Sequence, residues 1–349
     1  MEFYKNKRIL ITGHTGFKGA WLCKILLYFG ANILGYSLEC QTEPSLFKLL
    51  NLENKMKSVI GDIRDFNKLS QTIIEFKPEI IIHLASQALV NEANVNPRYT
   101  YDTNIIGIVN LLESIKQCDS VKSVINVSTD TVYLIENKKE YYKETDTIGG
   151  NNNYSNSKSC AESIISNYKR TYFYNKEYPR ISNTRSVNII GGGDFNKSRI
   201  VPECVSAWLE NRNIEIKSPN NIRPFLHVLE SLYGYLLIAK KQYEDKKYEG
   251  DYNFGPSNDG YISIGDLVNK FCKKINNSIG WINKSNENSK FVLMKTDSMK
   301  SREVLGWTSP FSLDERLQLV IDWNKAFMNK ENINNITEKQ IKEFFNKLD

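Results

Sequence analysis

The sequence has few cysteines and histidines, and their spacing is unlike that of a metal site or a disulfide framework. Six cysteines occur among 349 residues, none of them in a C-x-x-C pair, and the three histidines lie far apart. Zinc sites and small disulfide-rich folds need paired or clustered ligands. We therefore expect buried free thiols in a reducing cytoplasm, and no bound metal.

Long apolar runs and blocks of one charge are also missing. No stretch approaches the roughly 18 apolar residues of a membrane-spanning helix, and the N-terminal MEFYKNKRILITG lacks the apolar region of a signal peptide. The net charge of +6, from 46 basic and 40 acidic residues, is spread along the chain. We expect a cytoplasmic protein that binds neither membrane nor nucleic acid, while the mild positive charge suits an anionic small substrate.

The pattern that is present is an alternation of short apolar strands with helices. Strands are predicted at residues 8–12, 31–38, 57–60, 79–84 and 121–127, with helices at 21–29, 66–76 and 98–115. Such alternation predicts an α/β fold with a Rossmann-type doubly wound parallel sheet. After about residue 190 the pattern loosens, so we expect a Rossmann domain at 1–187 and a smaller C-terminal substrate-binding lobe at 188–349. The boundary is approximate, and part of the chain after residue 187 can return to the first domain.

A glycine-rich turn follows the first predicted strand. Gly13, Gly16 and Gly19 form a G-x-x-G-x-x-G pattern that opens a helix. Glycines permit a tight turn and a close approach of phosphate to the backbone, and the helix N-terminus offers unpaired N–H groups to a pyrophosphate. The turn therefore predicts dinucleotide binding by the domain at 1–187.

The residues after the second and third strands bear on which dinucleotide is bound. Ser37 stands where an acidic residue for the adenosine ribose is expected, Glu39 comes two residues later, and no arginine lies nearby to bind a 2′-phosphate. This favours NAD over NADP. Asp62 follows the third strand, where it can contact the adenine or cap its own loop.

A tyrosine and a lysine, Tyr154 and Lys158, are spaced to share one helical face. Tyrosine is a poor base at neutral pH, and a nearby ammonium group is expected to lower its pKa. Thr129, at the end of the fifth strand, can hydrogen-bond a substrate alcohol. Together the three side chains predict removal of a hydroxyl proton while the carbon gives hydride to a nicotinamide.

With these motifs the chain resembles the extended short-chain dehydrogenase/reductase superfamily, and within it the CDP-glucose 4,6-dehydratases. The resemblance runs along most of the chain, in the stretches GHTGFKGAWL (13–22), TEPSLF (42–47), GDIRD (61–65), PEIIIHLASQALV (78–90), YSNSKSCAE (154–162), NIIGGGDF (188–195), NIRPFLHVLE (221–230), YNFGP (252–256) and LGW (305–307).

The resemblance implies roles for individual residues. The oxidation triad would be Thr129, Tyr154 and Lys158, and Asp130 would be the acid that releases water. NAD would be held by Gly13, Thr15, Gly16, Phe17, Lys18, Gly19, Asp62, Ile63, Leu84, Ala85, Ser86, Asn104, Tyr154 and Lys158. The substrate would be held by Gln87, Asn188, Arg199, Arg223 and His227. His227 and His14 also suit polar packing, and the family implies a homodimer through helices near 98–115 and 155–173.

Two departures from the family pattern fall where the sugar should lie. Thr131 occupies the position of the usual C5 base, a glutamate or lysine, and Asn91 to Asn94 replace an Arg-x-Ser-Tyr stretch. A dehydratase would need a substitute base, for which Glu136, Glu92, Tyr133 or a water are candidates. The alternatives are an NDP-sugar 4-epimerase or 4-dehydrogenase, which needs no C5 base, and a non-catalytic NAD-binding protein.

Overall fold

The computed structural model describes residues 1–135, 141–256, 258–285 and 295–348. Its strands are β1 Arg8–Thr12, β2 Asn32–Ser37, β3 Lys57–Ile60, β4 Ile80–His83, β5 Ser123–Thr129, β6 Tyr141–Tyr142, β7 Arg180–Ser186, β8 Asn188–Ile190, β9 Ile214–Ile216, β10 Ile222–His227, β11 Asp251–Phe254, β12 Tyr261–Ser263, β13 Trp281–Asn283 and β14 Lys295–Thr296. Its α-helices are α1 Phe17–Tyr28, α2 Leu46–Leu49, α3 Phe66–Phe76, α4 Val90–Val95, α5 Pro97–Tyr101, α6 Gly107–Lys116, α7 Asn153–Tyr168, α8 Ile200–Leu209, α9 Val228–Glu244, α10 Ile264–Lys274, α11 Met299–Leu305, α12 Leu313–Met328 and α13 Ile333–Asn346.

A seven-stranded sheet organises the larger part of the molecule. Its strand order is β3-β2-β1-β4-β5-β7-β11, and every neighbouring pair is parallel. The chain adds β2 and β3 on one side of β1, and β4, β5 and β7 on the other. The order therefore reverses between β1 and β4, which is where ligands bind in such sheets. The predicted Rossmann-type doubly wound sheet is confirmed.

Alternating side chains along the strands build an apolar layer on each face of the sheet. Ile9 and Ile11 of β1 pack into the layer that also contains α1 and α9, and Leu10 packs into the layer of α3, α6 and α7. Strands with both faces buried read as continuous apolar runs, which explains why β1 and β4 were recognisable in the sequence.

The smaller lobe has its own core and is joined closely to the sheet. Apolar residues of α8, α10 and α12 form that core, including Val205, Phe271 and Leu317. At the join, the Trp21 indole donates to the carbonyl oxygen of Gly192 at 2.9 Å. The chain then returns to the large sheet, where α9 packs against it and β11 pairs with β7.

One predicted helix is interrupted. The segment predicted at 98–115 consists of α5, a π-helical turn at Asp102–Ile106, and α6. Asn96 caps α5, where its side chain accepts from the Tyr99 N–H, and Pro97 takes the first helical position. The π turn carries Asn104, whose side chain is used at the site described below. No helix in the described part of the chain is both long and apolar enough to cross a membrane.

Candidate active site

A cavity of about 930 Å³ lies at the carboxyl edge of the large sheet. The loops that follow β1, β2, β3, β4 and β5 line one side of it, the N-terminal end of α7 closes its base, and residues of the smaller lobe line the other side. Of the predicted site residues, all but Asn104 and His227 are among its lining residues.

The glycine turn after β1 is shaped to admit a phosphate group. Gly13 has φ +77°, and a Cβ atom there would lie 2.8 Å from the Ala85 backbone nitrogen. A Cβ atom at Gly19 would lie 2.2 Å from the Gly13 carbonyl oxygen. Gly16 is the N-cap residue of α1 and offers no side-chain cap, so the first N–H groups of the helix remain for a ligand. These residues fit a dinucleotide pyrophosphate.

The remaining predicted cofactor residues divide into two groups. Ile63, Leu84, Ala85 and Ser86 line the cavity directly. Asp62 lines it too, but its carboxylate accepts hydrogen bonds from the Arg64 N–H at 2.9 Å and from the Arg64 guanidinium at 2.6 Å. These bonds lower the pKa of Asp62. Asp62 therefore caps its own loop while it faces the cavity.

Asn104 lies behind the cavity wall. Its side chain accepts from the Gln87 N–H at 2.8 Å and donates to the Gln87 carbonyl at 3.0 Å and to the Ser157 hydroxyl at 2.8 Å. Asn104 thus joins the loop after β4 to α7. Direct cofactor contact by Asn104 remains a prediction, and the contacts present favour a positioning role.

Thr129, Tyr154 and Lys158 meet at the base of the cavity. The Lys158 ammonium donates to the Val127 carbonyl at 2.7 Å. Burial raises the pKa of Tyr154 to about 12, and a hydrogen bond with Thr129 only partly opposes this rise. Burial therefore dominates the pKa of Tyr154 in the chain by itself, and the expected lowering by Lys158 stays a prediction.

A buried charged network behind Lys158 was missed by sequence reasoning. Burial lowers the pKa of Lys158 to about 8, while the charge of Glu162 opposes that change. Glu162 forms a buried ion pair with Arg185 of β7 at 2.6 Å. Arg185 also donates to the Tyr133 hydroxyl at 2.9 Å. The i, i+4 spacing of Glu162 from Lys158 was a signal in the sequence, whereas nothing in it indicated Arg185.

Asp130 is a buried carboxyl group directly beside this triad. The Thr129 hydroxyl donates to its Oδ1 atom at 3.1 Å. Burial raises the pKa of Asp130 to about 6, against the hydrogen bond from Thr129 and the positive charge of Arg223. A carboxyl group with this pKa exchanges its proton near neutral pH, as a general acid must.

Thr131 lines the cavity beside Asp130 and carries no ionisable group. Its hydroxyl lies 3.1 Å from that of Thr129. Among the candidate bases, Tyr133 lies outside the cavity lining, and its hydroxyl donates to Asn253 at 2.7 Å. Because its hydroxyl is engaged outside the cavity, Tyr133 is not placed to act as the base. Glu92 lines the cavity, and Glu136 lies outside the described residues.

Four of the five predicted substrate residues line the cavity: Gln87, Asn188, Arg199 and Arg223. Arg199 pairs with the buried carboxylate of Asp194 at 2.9 Å. Burial lowers the pKa of Arg223, and the charge of Asp130 opposes that change. Two arginines therefore line the cavity, and the charge of Arg223 acts on Asp130.

His227, the fifth predicted substrate residue, is fully buried and does not line the cavity. Its ring packs against Trp21 and Phe311 and caps α9, where Nδ1 accepts from the Leu229 N–H. The predicted contact with substrate is thus replaced by polar packing. His14 is also fully buried, and its Nε2 lies 2.7 Å from the Ser58 hydroxyl. Burial lowers the pKa of both rings, so both stay neutral.

Comparisons with known proteins agree with this geometry. Residues 10–326 match the family model described as GDP-mannose 4,6 dehydratase. The chain is 37% identical to the CDP-glucose 4,6-dehydratase of Salmonella typhimurium, over 98% of this chain and 97% of that protein.

Two solved structures share the fold. A dTDP-glucose 4,6-dehydratase of Streptomyces venezuelae with NAD bound has a TM-score of 0.79 at 20% identity. The match covers 93% of this chain and 98% of the dehydratase chain. A UDP-glucose 4-epimerase of Thermotoga maritima has a TM-score of 0.79 at 22% identity. The match covers 92% of this chain and 99% of the epimerase chain. The chain belongs to the GDP-mannose 4,6-dehydratase family, within the extended short-chain dehydrogenases/reductases.

Proposed function

We propose that the protein is an NAD-dependent sugar-nucleotide 4,6-dehydratase that converts CDP-glucose to CDP-4-keto-6-deoxyglucose. The observation that carries the proposal is Asp130, a buried acid with a raised pKa, hydrogen-bonded to the Thr129 hydroxyl. An enzyme that only oxidised and reduced C4 would not need such an acid as a proton donor. The 37% identity to the CDP-glucose 4,6-dehydratase of Salmonella typhimurium supports the choice of substrate.

NAD would bind along the glycine turn and the loops after β2, β3 and β4. The helix N-terminus at Gly16 would face the pyrophosphate, and Gly13 and Gly19 allow the close backbone packing that shapes the turn. When bound, NAD would accept the hydride from C4, return it to C6, and add a positive charge that favours the phenolate of Tyr154.

Oxidation at C4 depends on Tyr154, Thr129 and Lys158. Tyr154 takes the proton of the C4 hydroxyl, and a hydrogen bond with Thr129 lowers the pKa of the phenol against the effect of burial. Lys158, fixed by its bond to the Val127 carbonyl, supplies a nearby positive charge when protonated. Since burial lowers the pKa of Lys158 to about 8, we expect this step to lose support as the pH rises through that value.

Elimination of water then depends on Asp130. The new ketone at C4 makes the C5 proton acidic, and the C6 hydroxyl needs a proton in order to leave as water. Asp130 in its protonated form supplies that proton. Arg223 and Arg199 line the cavity where they would hold the nucleotide diphosphate through charge-assisted hydrogen bonds, with Asn188 beside them.

The test is incubation of the purified protein with CDP-glucose and NAD, followed by mass spectrometry. We expect a product that has lost one water from the sugar. The Tyr154→Phe variant should lose turnover by at least about a hundredfold, because it lacks the proton acceptor. Turnover that is unchanged in Tyr154→Phe would contradict both the dehydratase and the epimerase, because each needs Tyr154 as the proton acceptor.

A 4-epimerase is the second candidate, and Thr131 is the observation in its favour. Epimerisation at C4 needs no base at C5, and Thr131 offers none. In that case Asp130 would bind the sugar. Formation of an epimer of CDP-glucose without loss of water would favour this reading over dehydration.

The predicted homodimer belongs to the same proposal. Ile106 and Tyr172, within the two segments expected at the dimer contact, are 46% and 48% exposed, so both are accessible for such a contact. Light scattering on wild type and on Ile106→Asp tests it, with a dimer expected for the wild type and a monomer for the variant. The cytoplasmic location stays a prediction.

A further inference from the structure

We propose that Glu92 is the catalytic base that removes the C5 proton. The inference rests on the proposed dehydration and names the group that this reaction otherwise lacks. Elimination across C5 and C6 needs both an acid and a base. Asp130 accounts for the acid, and the hydroxyl of its neighbour Thr131 does not ionise near neutral pH.

The other carboxyl groups of the cavity are committed or distant. Asp62 is held by Arg64, and Asp194 by Arg199. Glu39 follows β2, which is separated from β5 by β1 and β4. It therefore lies towards the dinucleotide end of the cavity, whereas Asp130 follows β5 directly. Of the five carboxyl groups in the described lining, this leaves Glu92 as the base.

Glu92 is placed at the sugar end by the fold. It belongs to α4, the helix after β4, and β4 pairs directly with β5. The Asn153 side chain donates to the carbonyl of Ala93 at 3.2 Å. Asn153 immediately precedes Tyr154, so this bond ties the residue next to Glu92 to the residue next to the oxidation tyrosine.

The side chain of Glu92 is half-buried and uncommitted. It lines the cavity, and within the described ranges it makes no side-chain hydrogen bond or ion pair. A carboxylate with no partner is available to accept a proton. The loop that leads to it is held firmly, since Asn104 bonds both the N–H and the carbonyl of Gln87.

The elimination transfers two protons and breaks one C–O bond. After C4 is oxidised, the Glu92 carboxylate takes the C5 proton, and the electron pair of the C5–H bond forms the C5=C6 double bond. The C6–O bond breaks, and its oxygen leaves with the Asp130 proton as water. Glu92 is left protonated and Asp130 ionised. The Glu92 proton returns to C5 as C6 receives the hydride that was taken from C4.

The experiment follows two half-reactions in single turnovers with NAD and CDP-glucose. Reduced nicotinamide absorbance reports C4 oxidation, and mass spectrometry reports loss of water. Glu92→Gln should slow water loss by at least about a hundredfold, while reduced nicotinamide still forms and persists. Glu92→Asp should retain more water loss than Glu92→Gln. Asn94→Ala, on the same helix but outside the cavity lining, is the matched control.

The outcomes separate the two proposals. Wild type that releases no water would overturn the dehydratase function itself. Wild type that dehydrates while Glu92→Gln does so at the same rate would overturn only the role of Glu92. Equal losses of C4 oxidation and of water release in Glu92→Gln would also overturn that role, because they would indicate a substrate-binding defect.

Discussion

Replacing Asp130 with asparagine tests the physical origin of the proposed acid. Burial raises the pKa of Asp130 from 3.8 to about 6. A tenfold change in proton affinity corresponds to about 1.4 kcal/mol, so ionised Asp130 should destabilise the fold by about 3 kcal/mol relative to the protonated form. Asparagine keeps the shape of the side chain without its charge.

The sign of the effect follows from the direction of the pKa change. The folded protein binds this proton more tightly than the unfolded chain does, so wild type loses stability as the pH rises from 3.8 to about 6. Asp130→Asn lacks that loss. Its free energy of unfolding, relative to wild type, should therefore increase by about 1.5 kcal/mol between about pH 5 and about pH 8.

Urea unfolding of both proteins at the two pH values measures this difference. Glu75→Gln removes an exposed carboxylate from α3 and serves as the control, with an expected change below about 0.5 kcal/mol. In single turnovers, Asp130→Asn should lose water elimination by at least about a hundredfold and keep C4 oxidation. A stability difference that stays constant or falls with pH would refute the reasoning.

Three further predictions concern the base position, the glycine turn and the buried ion pair. If removal of the C5 proton limits the rate of water loss, Thr131→Glu should raise that rate. An unchanged or lower rate would indicate that removal of the C5 proton is not the limiting step. In Gly19→Ala, the added Cβ atom would lie 2.2 Å from the Gly13 carbonyl oxygen, so NAD binding measured by calorimetry should weaken by about tenfold or more; retained affinity would contradict the proposed turn. Arg185→Met leaves the Glu162 carboxylate buried without its guanidinium partner and should lower the free energy of unfolding by about 3–5 kcal/mol, measured in urea. Adding Glu162→Gln should partly restore that stability. A double variant no more stable than Arg185→Met would argue against the ion pair.

The large sheet and its ligand-binding edge were predictable because they depend on short-range patterns. β1, β3 and α3 have the predicted bounds, since apolar runs and helical spacing are local signals. The glycine turn was recognisable for the same reason. Its position after β1 places it at the carboxyl edge of the sheet, where β4 and β5 also end.

Features that depend on tertiary contacts were not predictable. Arg185 reaches Glu162 only when β7 is in the sheet and α7 packs over it, so no local pattern indicates the pair. The π turn at Asp102–Ile106 interrupts a segment whose spacing is otherwise helical. His227 looked like a site residue from its motif, whereas its burial against Trp21 and Phe311 is a property of the assembled fold.

The proposed reaction is tested most directly by following the hydrogen at C4 of the sugar. CDP-glucose that carries deuterium at C4 is incubated with the protein and NAD, and the product is examined by mass spectrometry and NMR. A 4,6-dehydratase should yield a 4-keto-6-deoxy sugar that has lost one water and carries the deuterium at C6. Deuterium that stays at C4, in a sugar that has kept its water, would contradict the account.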